Sequence, residues 1–240
     1  MFGYYFDPTY ILVLIGALLC IFASSRVNST YNKYARVRAR GGFTGAEAAQ
    51  RILHMSGIHD VQVQRVAGNL TDHYDPVHKV LRLSDSVYGS HSVAAIGVAA
   101  HECGHALQHK EGYLPLKIRS ALVPAANIGS RLGLPIVILG LVLGLGFELP
   151  GGGYFSLAEI GIWVFSLAVL FQVITLPVEF NASGRALKLL GDYGIMGQDE
   201  VGDCRRVLSA AALTYVAAAA SSILQLLRLV LLTGNRRRND

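Results

Sequence analysis

The chain has 240 residues, of which 52% are apolar and only 15% are charged, and its formal net charge is +5. Soluble globular domains carry about 25% charged residues, so this composition argues against an ordinary soluble domain. The basic residues form no stripe interleaved with aromatic side chains. We therefore expect the positive charge to face a membrane surface, and we expect no nucleic-acid partner.

The first apolar run, Tyr10–Ala23, contains no charged residue and with its flanks reaches about the 20 residues that a membrane-spanning helix needs. No Lys or Arg precedes it, and Phe22–Arg26 is a poor cleavage site. We therefore expect residues 1–25 to form a retained anchor rather than a secretory signal. Basic residues follow this run closely: Arg26, Lys33, Arg36, Arg38 and Arg40. The positive-inside rule then places the N-terminus outside and residues 26–131 on the cytosolic side.

The segment after the basic residues predicts a helix followed by a small sheet. Thr44 is a plausible N-cap of a helix that reaches about Ser56, and Glu47 completes a capping box. Three short runs then alternate in part between apolar and polar residues, which predicts a small antiparallel sheet. The runs are Asp60–Val66, Leu70–Tyr74 and Val80–Leu83.

Residues 101–105 read His-Glu-Cys-Gly-His, and the apolar run Val93–Ala100 leads directly into them, as in a buried helix. Positions i and i+4 lie on one face of a helix, so His101 and His105 present two imidazoles to one point. These are two of the three protein ligands that a catalytic zinc needs. Glu102 points elsewhere and can hold a water beside the metal and accept its proton. The alternative is a core helix with two hydrogen-bonded histidines and a surface glutamate.

Two further apolar runs, Leu132–Leu149 and Ser156–Pro177, predict a transmembrane hairpin over residues 132–177. The glycine-rich segment Pro150–Gly153 joins them and favours a tight turn. Gly140 and Gly144 form a G-x-x-x-G pattern, which would let a neighbouring helix approach closely.

The third ligand must come from another segment on the same side of the membrane. His109 continues the i+4 series but lies a further turn along the helix, about 6 Å away. Glu179 directly follows the third apolar run, in residues 178–206, and two predicted spans separate it from Glu102. Because an even number of spans returns the chain to the side that it left, Glu179 is the better candidate. An interfacial anchor is its alternative role.

The last apolar segment, Val207–Leu232, is long enough to span a membrane. Four polar residues fall near one helical face, which suggests packing against protein rather than lipid on all sides. They are Thr214, Ser221, Gln225 and Arg228. We expect residues 207–240 to form a membrane-associated or transmembrane helix with a basic tail, and the sequence leaves its topology open.

Four stretches of the chain resemble the bacterial YugP-type neutral zinc metallopeptidases: Leu70–Pro76, Val80–Ser84, Ala99–Gln108 and Leu176–Ser183. The resemblance implies a membrane-bound zinc peptidase, distantly similar to the gluzincins. It also implies that His101, His105 and Glu179 bind the metal and that Glu102 is the general base. Many gluzincins have an aspartate four residues after the glutamate ligand, where it orients a zinc-bound histidine. Here Ser183 takes that position.

The predicted fold is therefore an α-rich α+β, multi-pass membrane protein with a zincin-like catalytic unit and a small antiparallel sheet. We expect a zinc-dependent (Zn²⁺) endopeptidase of the bacterial plasma membrane that acts on protein or peptide substrates, membrane proteins among them, on the cytosolic side. Two alternatives remain. One is an intramembrane, site-2-like zinc protease, and the other is a non-catalytic zinc-binding scaffold or adaptor. The oligomeric state stays open.

Overall fold

A computed structural model describes residues 7–149 and 153–237 of the chain. Within these residues the chain forms seven helices and five strands, so it is helix-rich with small sheets, as predicted. The elements in chain order are α1 (Tyr10–Tyr34), α2 (Gly45–Met55), β1 (Gln62–Val66), β2 (His73–Asp75), β3 (Val80–Ser84), α3 (Asp85–Tyr88), α4 (Val93–Lys110), α5 (Leu114–Leu143), β4 (Gly146–Leu149), β5 (Gly153–Ser156), α6 (Leu157–Asp192) and α7 (Gln198–Arg237).

The chain divides into two compact units, and the boundaries fall inside or near the ends of the long helices α1, α5, α6 and α7. One unit comprises the described parts of residues 1–22, 118–175 and 215–240. The other comprises residues 23–117 and 176–214. We call them the apolar-helix unit and the α4 unit, and we describe each by itself.

The three-stranded sheet of the α4 unit is mixed rather than antiparallel. Strand β3 lies in the centre, pairs parallel with β1 and antiparallel with β2, and leaves β1 and β2 as edges. Four of the five residues of β3 are buried, as a central strand requires. The antiparallel prediction is correct for β2 with β3 and wrong for β1 with β3. The segment 67–79 carries the chain from the end of β1 back to the start of β3, and it places β2 on the far side.

Local signals set the helix ends of the α4 unit. Thr44 and Glu47 form the predicted capping box at the start of α2. The Ser92 hydroxyl accepts a hydrogen bond from the Ala95 backbone at 3.2 Å, so Ser92 is the N-cap of α4. Gly112 follows α4 with a φ of +66°, a conformation that favours glycine.

Helix α4 is the central element of its unit. Thirteen of its 18 residues are buried, and it packs against α2, α3 and the sheet. Its core cluster also includes residues from the second half of α6 and the first half of α7, such as Leu190 and Cys204. The predicted buried helix is therefore confirmed.

Helices α1, α5, α6 and α7 are each long and apolar enough to cross a membrane. In the apolar-helix unit many large apolar side chains are exposed, among them Leu18 at 65% and Trp163 at 69%. Exposed apolar surface on this scale is typical of helices that contact lipid. Helix α6 continues through Pro177, the end of the predicted span, to Asp192, so the span and the helical segment that follows it form one helix. Transmembrane helices tolerate proline where neighbouring groups satisfy the freed carbonyl.

Small residues let α5 and α6 approach closely. A Cβ on Gly133 would lie 2.7 Å from Phe165, and a Cβ on Gly140 would lie 2.2 Å from the Ala158 backbone. Gly140 therefore has the predicted packing role, but Gly144 does not. It follows the last residue of α5 with a φ of +64° and ends the helix. Strands β4 and β5 then pair antiparallel, and residues 150–152 of the predicted turn lie outside the described residues.

Helices α1 and α7 run antiparallel in the apolar-helix unit. Gly16 lies against Ser221, whose Oγ would be 2.7 Å from a Cβ on that glycine. Further along, Arg228 Nη2 is 3.2 Å from Asp7 Oδ2, and its guanidinium lies over the Tyr10 ring at 4.0 Å. Two residues of the predicted polar face of α7, Ser221 and Arg228, therefore contact protein.

Candidate metal centre

Helix α4 directs two imidazole nitrogens towards one carboxylate oxygen of α6. His101 Nε2 lies 3.3 Å and His105 Nε2 lies 3.6 Å from Glu179 Oε2. The two rings are 4.8 Å apart and nearly perpendicular, so they approach the carboxylate from different directions. The juxtaposition predicted from the i, i+4 spacing and from the parity of the spans is present.

The donor set and its dimensions fit zinc. Ligand atoms at 2.0–2.2 Å from a tetrahedral zinc lie about 3.3–3.5 Å from one another, close to the distances found here. The candidate ligand atoms of His101, His105 and Glu179 all lie within 4.8 Å of one another. Glu179 is only 2% exposed, and a buried carboxylate needs a positive partner. Two imidazoles and one carboxylate also match the three-ligand set of a catalytic zinc, which keeps its fourth position open.

Gly104 allows α4 and α6 to approach closely beside these ligands. A Cβ at this position would lie 2.5 Å from the Ala182 carbonyl oxygen and 3.1 Å from the Ala182 Cα. Only glycine therefore fits against the α6 backbone here. Ala182 follows Glu179 by three residues, so this contact sets how closely the carboxylate approaches the imidazoles.

The Glu102 side chain is available for chemistry. The residue is only 8% exposed, and no hydrogen bond joins its carboxylate to another residue in the described part of the chain. The next residue, Cys103, turns into the core, is fully buried and contacts the Ala49 carbonyl oxygen at 3.6 Å. Burial raises the pKa of the Cys103 thiol well above its usual value, and the candidate ligand group does not include Cys103.

Each metal-facing histidine has a partner on its other ring nitrogen. The Ser183 hydroxyl lies 3.1 Å from His101 Nδ1, so the residue four positions after Glu179 contacts one of the histidines. The Gln108 Oε1 atom lies 3.0 Å from His105 Nδ1. Gln108 was not predicted from the sequence to contact a histidine. The pattern that could have indicated this contact is a polar residue three positions after His105, on the same helical face and at the end of a buried run.

Two opposing effects act on the protonation of His105. Burial lowers the pKa of its imidazole, but the nearby carboxylate of Glu179 and the negative charge of Glu102 outweigh burial. The pKa of His105 is therefore above its usual value, and the site favours positive charge at this point. A bound cation would satisfy the same preference.

His109 lies outside the ligand group, as the extra turn of helix predicted. Its Nδ1 atom is 2.9 Å from the Tyr74 hydroxyl on strand β2. Helix α4 therefore contacts the sheet edge through His109 one turn beyond the candidate ligands.

Comparisons with known proteins agree with this geometry. Residues 9–234 match the model of a family described as "Putative neutral zinc metallopeptidase", so the chain belongs to that family. The chain is also 47% identical over 229 residues to the "Putative membrane protease YugP" of Bacillus subtilis (strain 168). That match covers 95% of this chain and 98% of the relative. No solved structure matches the chain.

Proposed function

We propose that the protein is a membrane-bound, zinc-dependent endopeptidase that hydrolyses peptide bonds at the cytosolic face of the membrane. His101, His105 and Glu179 hold the metal, and Glu102 is the general base. One observation carries the proposal: three candidate ligand atoms from two helices converge close to Glu102, whose carboxylate has no hydrogen bond from the described residues.

The roles of the side chains follow from this arrangement. His101, His105 and Glu179 would hold a zinc ion, which would polarise a peptide carbonyl and make a neighbouring water more acidic. Glu102 accepts a proton from that water as the water oxygen bonds to the carbonyl carbon. The same carboxyl group then gives the proton to the amide nitrogen as the C–N bond breaks, so that a carboxylate and an amine leave.

Strand β2 supports the binding of an extended substrate. It is an edge of the sheet, so its outer backbone groups can pair with an added strand, and it lies against the metal-binding helix α4. Its Tyr74 side chain contacts His109 of that helix at 2.9 Å. We infer that the substrate peptide pairs with β2 and passes along α4.

We infer four membrane spans, with both termini outside the cell and the metal ligands on the inner side. The basic residues after α1 favour the cytosol for residues 26–131. Because α7 runs antiparallel to α1 through the Gly16–Ser221 and Asp7–Arg228 contacts, a membrane that contains α1 also contains α7. Four spans return the C-terminus to the side of the N-terminus.

The sheet beside α4 disfavours the intramembrane alternative. Strands β1 and β2 are open edges, and open edges cannot face hydrocarbon, where their backbone groups would lack partners. Helix α4 is also absent from the four described helices that could cross a membrane. A site at the membrane surface fits both observations.

The buried Glu102 disfavours a purely structural metal site. A structural zinc is usually closed by four protein ligands, whereas three ligating residues come together in the described part of the chain. A structural site has no use for a buried carboxylate beside the metal, and burying one carries a cost.

Purified Glu102→Gln protein tests the role of the general base. We expect it to keep its zinc, measured by atomic emission, and to lose cleavage of a quenched fluorescent peptide mixture. Glu102→Asp is the matched control, because it keeps the carboxylate one methylene further away and should retain part of the activity. Wild-type turnover by Glu102→Gln would refute the role of Glu102.

Thiol labelling tests the topology. The native Cys103 is unsuitable because it is fully buried, so new cysteines are placed in a variant that lacks Cys20. Met55 is 47% exposed on α2, and Glu148 is exposed on β4. A membrane-impermeant reagent should label Met55→Cys in inverted vesicles and Glu148→Cys in right-side-out vesicles. Labelling of both from one side would contradict the proposed topology.

A further inference from the structure

His105 can bind a metal through Nε2 only if its proton is on Nδ1. A neutral imidazole carries a single proton, and either nitrogen can hold it. In this structure Nε2 lies 3.6 Å from Glu179 Oε2, beyond hydrogen-bond distance, whereas Nδ1 lies 3.0 Å from Gln108 Oε1. A carbonyl oxygen only accepts hydrogen bonds, so this contact requires a proton on Nδ1. The tautomer of His105 therefore depends on whether Gln108 is fixed in this orientation.

Two acceptors on α6 fix the Gln108 amide. Its Nε2 lies 2.8 Å from the Val178 carbonyl oxygen and 2.9 Å from Asn181 Oδ1. Gln108 is fully buried, so water cannot replace either partner. If the amide were reversed, its oxygen would face the Val178 carbonyl and lose its donors, which costs free energy in a buried site.

Arg185 fixes the Asn181 amide in turn. Its Nε lies 2.7 Å from Asn181 Oδ1, and a guanidinium only donates hydrogen bonds, so this atom must be the amide oxygen. Arg185 is itself held by Glu111, whose Oε2 is 2.6 Å from Nη1. The direction of every hydrogen bond from Arg185 to His105 is thus determined by a residue that keeps its protons at any ordinary pH.

We propose that Arg185, Asn181 and Gln108 form a hydrogen-bond relay of fixed polarity that holds His105 in the tautomer whose Nε2 binds the metal. In this relay Arg185 and Gln108 both donate to Asn181 Oδ1, and His105 Nδ1 donates to Gln108 Oε1. Gln108 is the positioning residue of this relay. The inference deepens the proposed function and rests on it, since it assigns how one of the three ligands is prepared for zinc.

The other histidine provides a contrast within the same site. His101 Nδ1 contacts the Ser183 hydroxyl at 3.1 Å, and a hydroxyl can either donate or accept. Ser183 therefore supports the ring without determining its tautomer. The two histidines differ in the partner of Nδ1, and this difference supplies a matched control.

The first test reads the tautomer directly in zinc-free wild-type protein. Nitrogen-15 NMR of labelled histidine, at a pH where the ring is neutral, distinguishes the two tautomers, and the His105 signal is identified by its loss in His105→Gln. We expect the Nδ1–H form in the wild type and a mixture of tautomers in Gln108→Met. An Nε2–H form in the wild type would overturn the proposal. Because no zinc is present, this result does not depend on the proposed function.

The second test compares zinc affinities by competition with a chromogenic chelator. Gln108→Met should weaken zinc binding by about 10- to 100-fold, the range for partners of metal-bound histidines, and Ser183→Ala should weaken it by much less. Equal losses in the two variants would overturn the relay. If the wild-type protein bound no zinc, the proposed function would be wrong, whereas the tautomer measured by NMR would be unaffected.

A second pair of variants, at Asn181, tests the relay if Gln108→Met does not fold. Asn181→Asp keeps an acceptor for both Gln108 and Arg185 and should bind zinc as the wild type does. Asn181→Leu removes the acceptor and should bind zinc more weakly, with a mixed His105 tautomer. If Asn181→Asp and Asn181→Leu gave the same zinc affinity and the same tautomer, the relay would be wrong.

Discussion

Replacing Gly104 by alanine should move α6 away from α4 and weaken the metal site. The new Cβ would lie 2.5 Å from the Ala182 carbonyl oxygen, whereas non-bonded heavy atoms approach to about 3.5 Å. The α6 backbone must therefore retreat by about 1 Å, because the contact is with main chain rather than with a flexible side chain. Glu179 lies one turn before Ala182, so its carboxylate retreats with the helix.

The metal site cannot keep its ligand distances after a displacement of this size. Zinc sites keep their ligand distances within about 0.2 Å, and Glu179 Oε2 already lies 3.3 and 3.6 Å from the two imidazole nitrogens. We expect the zinc affinity of Gly104→Ala to fall by about tenfold or more, as when supporting contacts of a metal site are lost. Overpacking should also destabilise the protein by about 1–3 kcal/mol, offset by about 1 kcal/mol because alanine favours the helix.

Gly184 offers a matched control on α6. It is exposed, and a Cβ there would meet no atom within 4 Å. Gly184→Ala should therefore keep wild-type zinc affinity and gain about 0.5–1 kcal/mol of stability. The assays are chelator competition for zinc and thermal unfolding in detergent with the metal removed. If Gly104→Ala bound zinc as tightly as Gly184→Ala, the reasoning that this contact sets the ligand distances would be refuted.

Three further predictions concern other parts of the chain. Glu179→Ala should copurify with little zinc, whereas Glu148→Ala should keep its metal content, and equal metal content in both would exclude Glu179 as a ligand. The backbone and side chain of His78, together with Arg82, lower the pKa of Asp75, so its stabilising effect is complete above its ordinary pKa and disappears as the pH falls through the lowered value. Thermal unfolding of Asp75→Asn should therefore depend less on pH in the acid range than that of the wild type, and an unchanged dependence would argue against this contribution. A cysteine at Gly234 should be labelled from the same side as one at Glu148 if α7 crosses the membrane, and labelling from the opposite side would contradict a fourth span.

The sequence predicted that His101, His105 and Glu179 come together, because the spacing of the histidines is local and the position of Glu179 follows from counting spans. The i, i+4 separation of His101 and His105 fixes their common face on any helix. The prediction that Glu179 lies on the same side of the membrane as the histidines follows from the even number of spans between them. This count needs no three-dimensional detail. The capping box of Thr44 and Glu47 is likewise a four-residue signal.

Long-range contacts account for what the sequence did not predict. The parallel pairing of β1 with β3 depends on how residues 67–79 pass across the sheet, and alternation within each strand carries no information on direction. The role of Gly144 was also missed, because a G-x-x-x-G pattern cannot distinguish a packing glycine from one that ends a helix. Gln108 was missed because its two donors act on acceptors 70 and 73 positions away in the chain.

The residues between and after the two histidines explain why a single helix can prepare this site. Cys103 is fully buried and anchors α4 in the core, while Gly104 faces α6 and sets its distance. Gln108, one turn further on, contacts the same helix and directs the proton of His105 away from the metal. Because successive positions of a helix point 100° apart, the three residues can act on different neighbours without competing for space. Cys103 and Gly104, the two residues between Glu102 and His105, are therefore both constrained in this chain. The core constrains Cys103, and the backbone of the helix that carries Glu179 constrains Gly104.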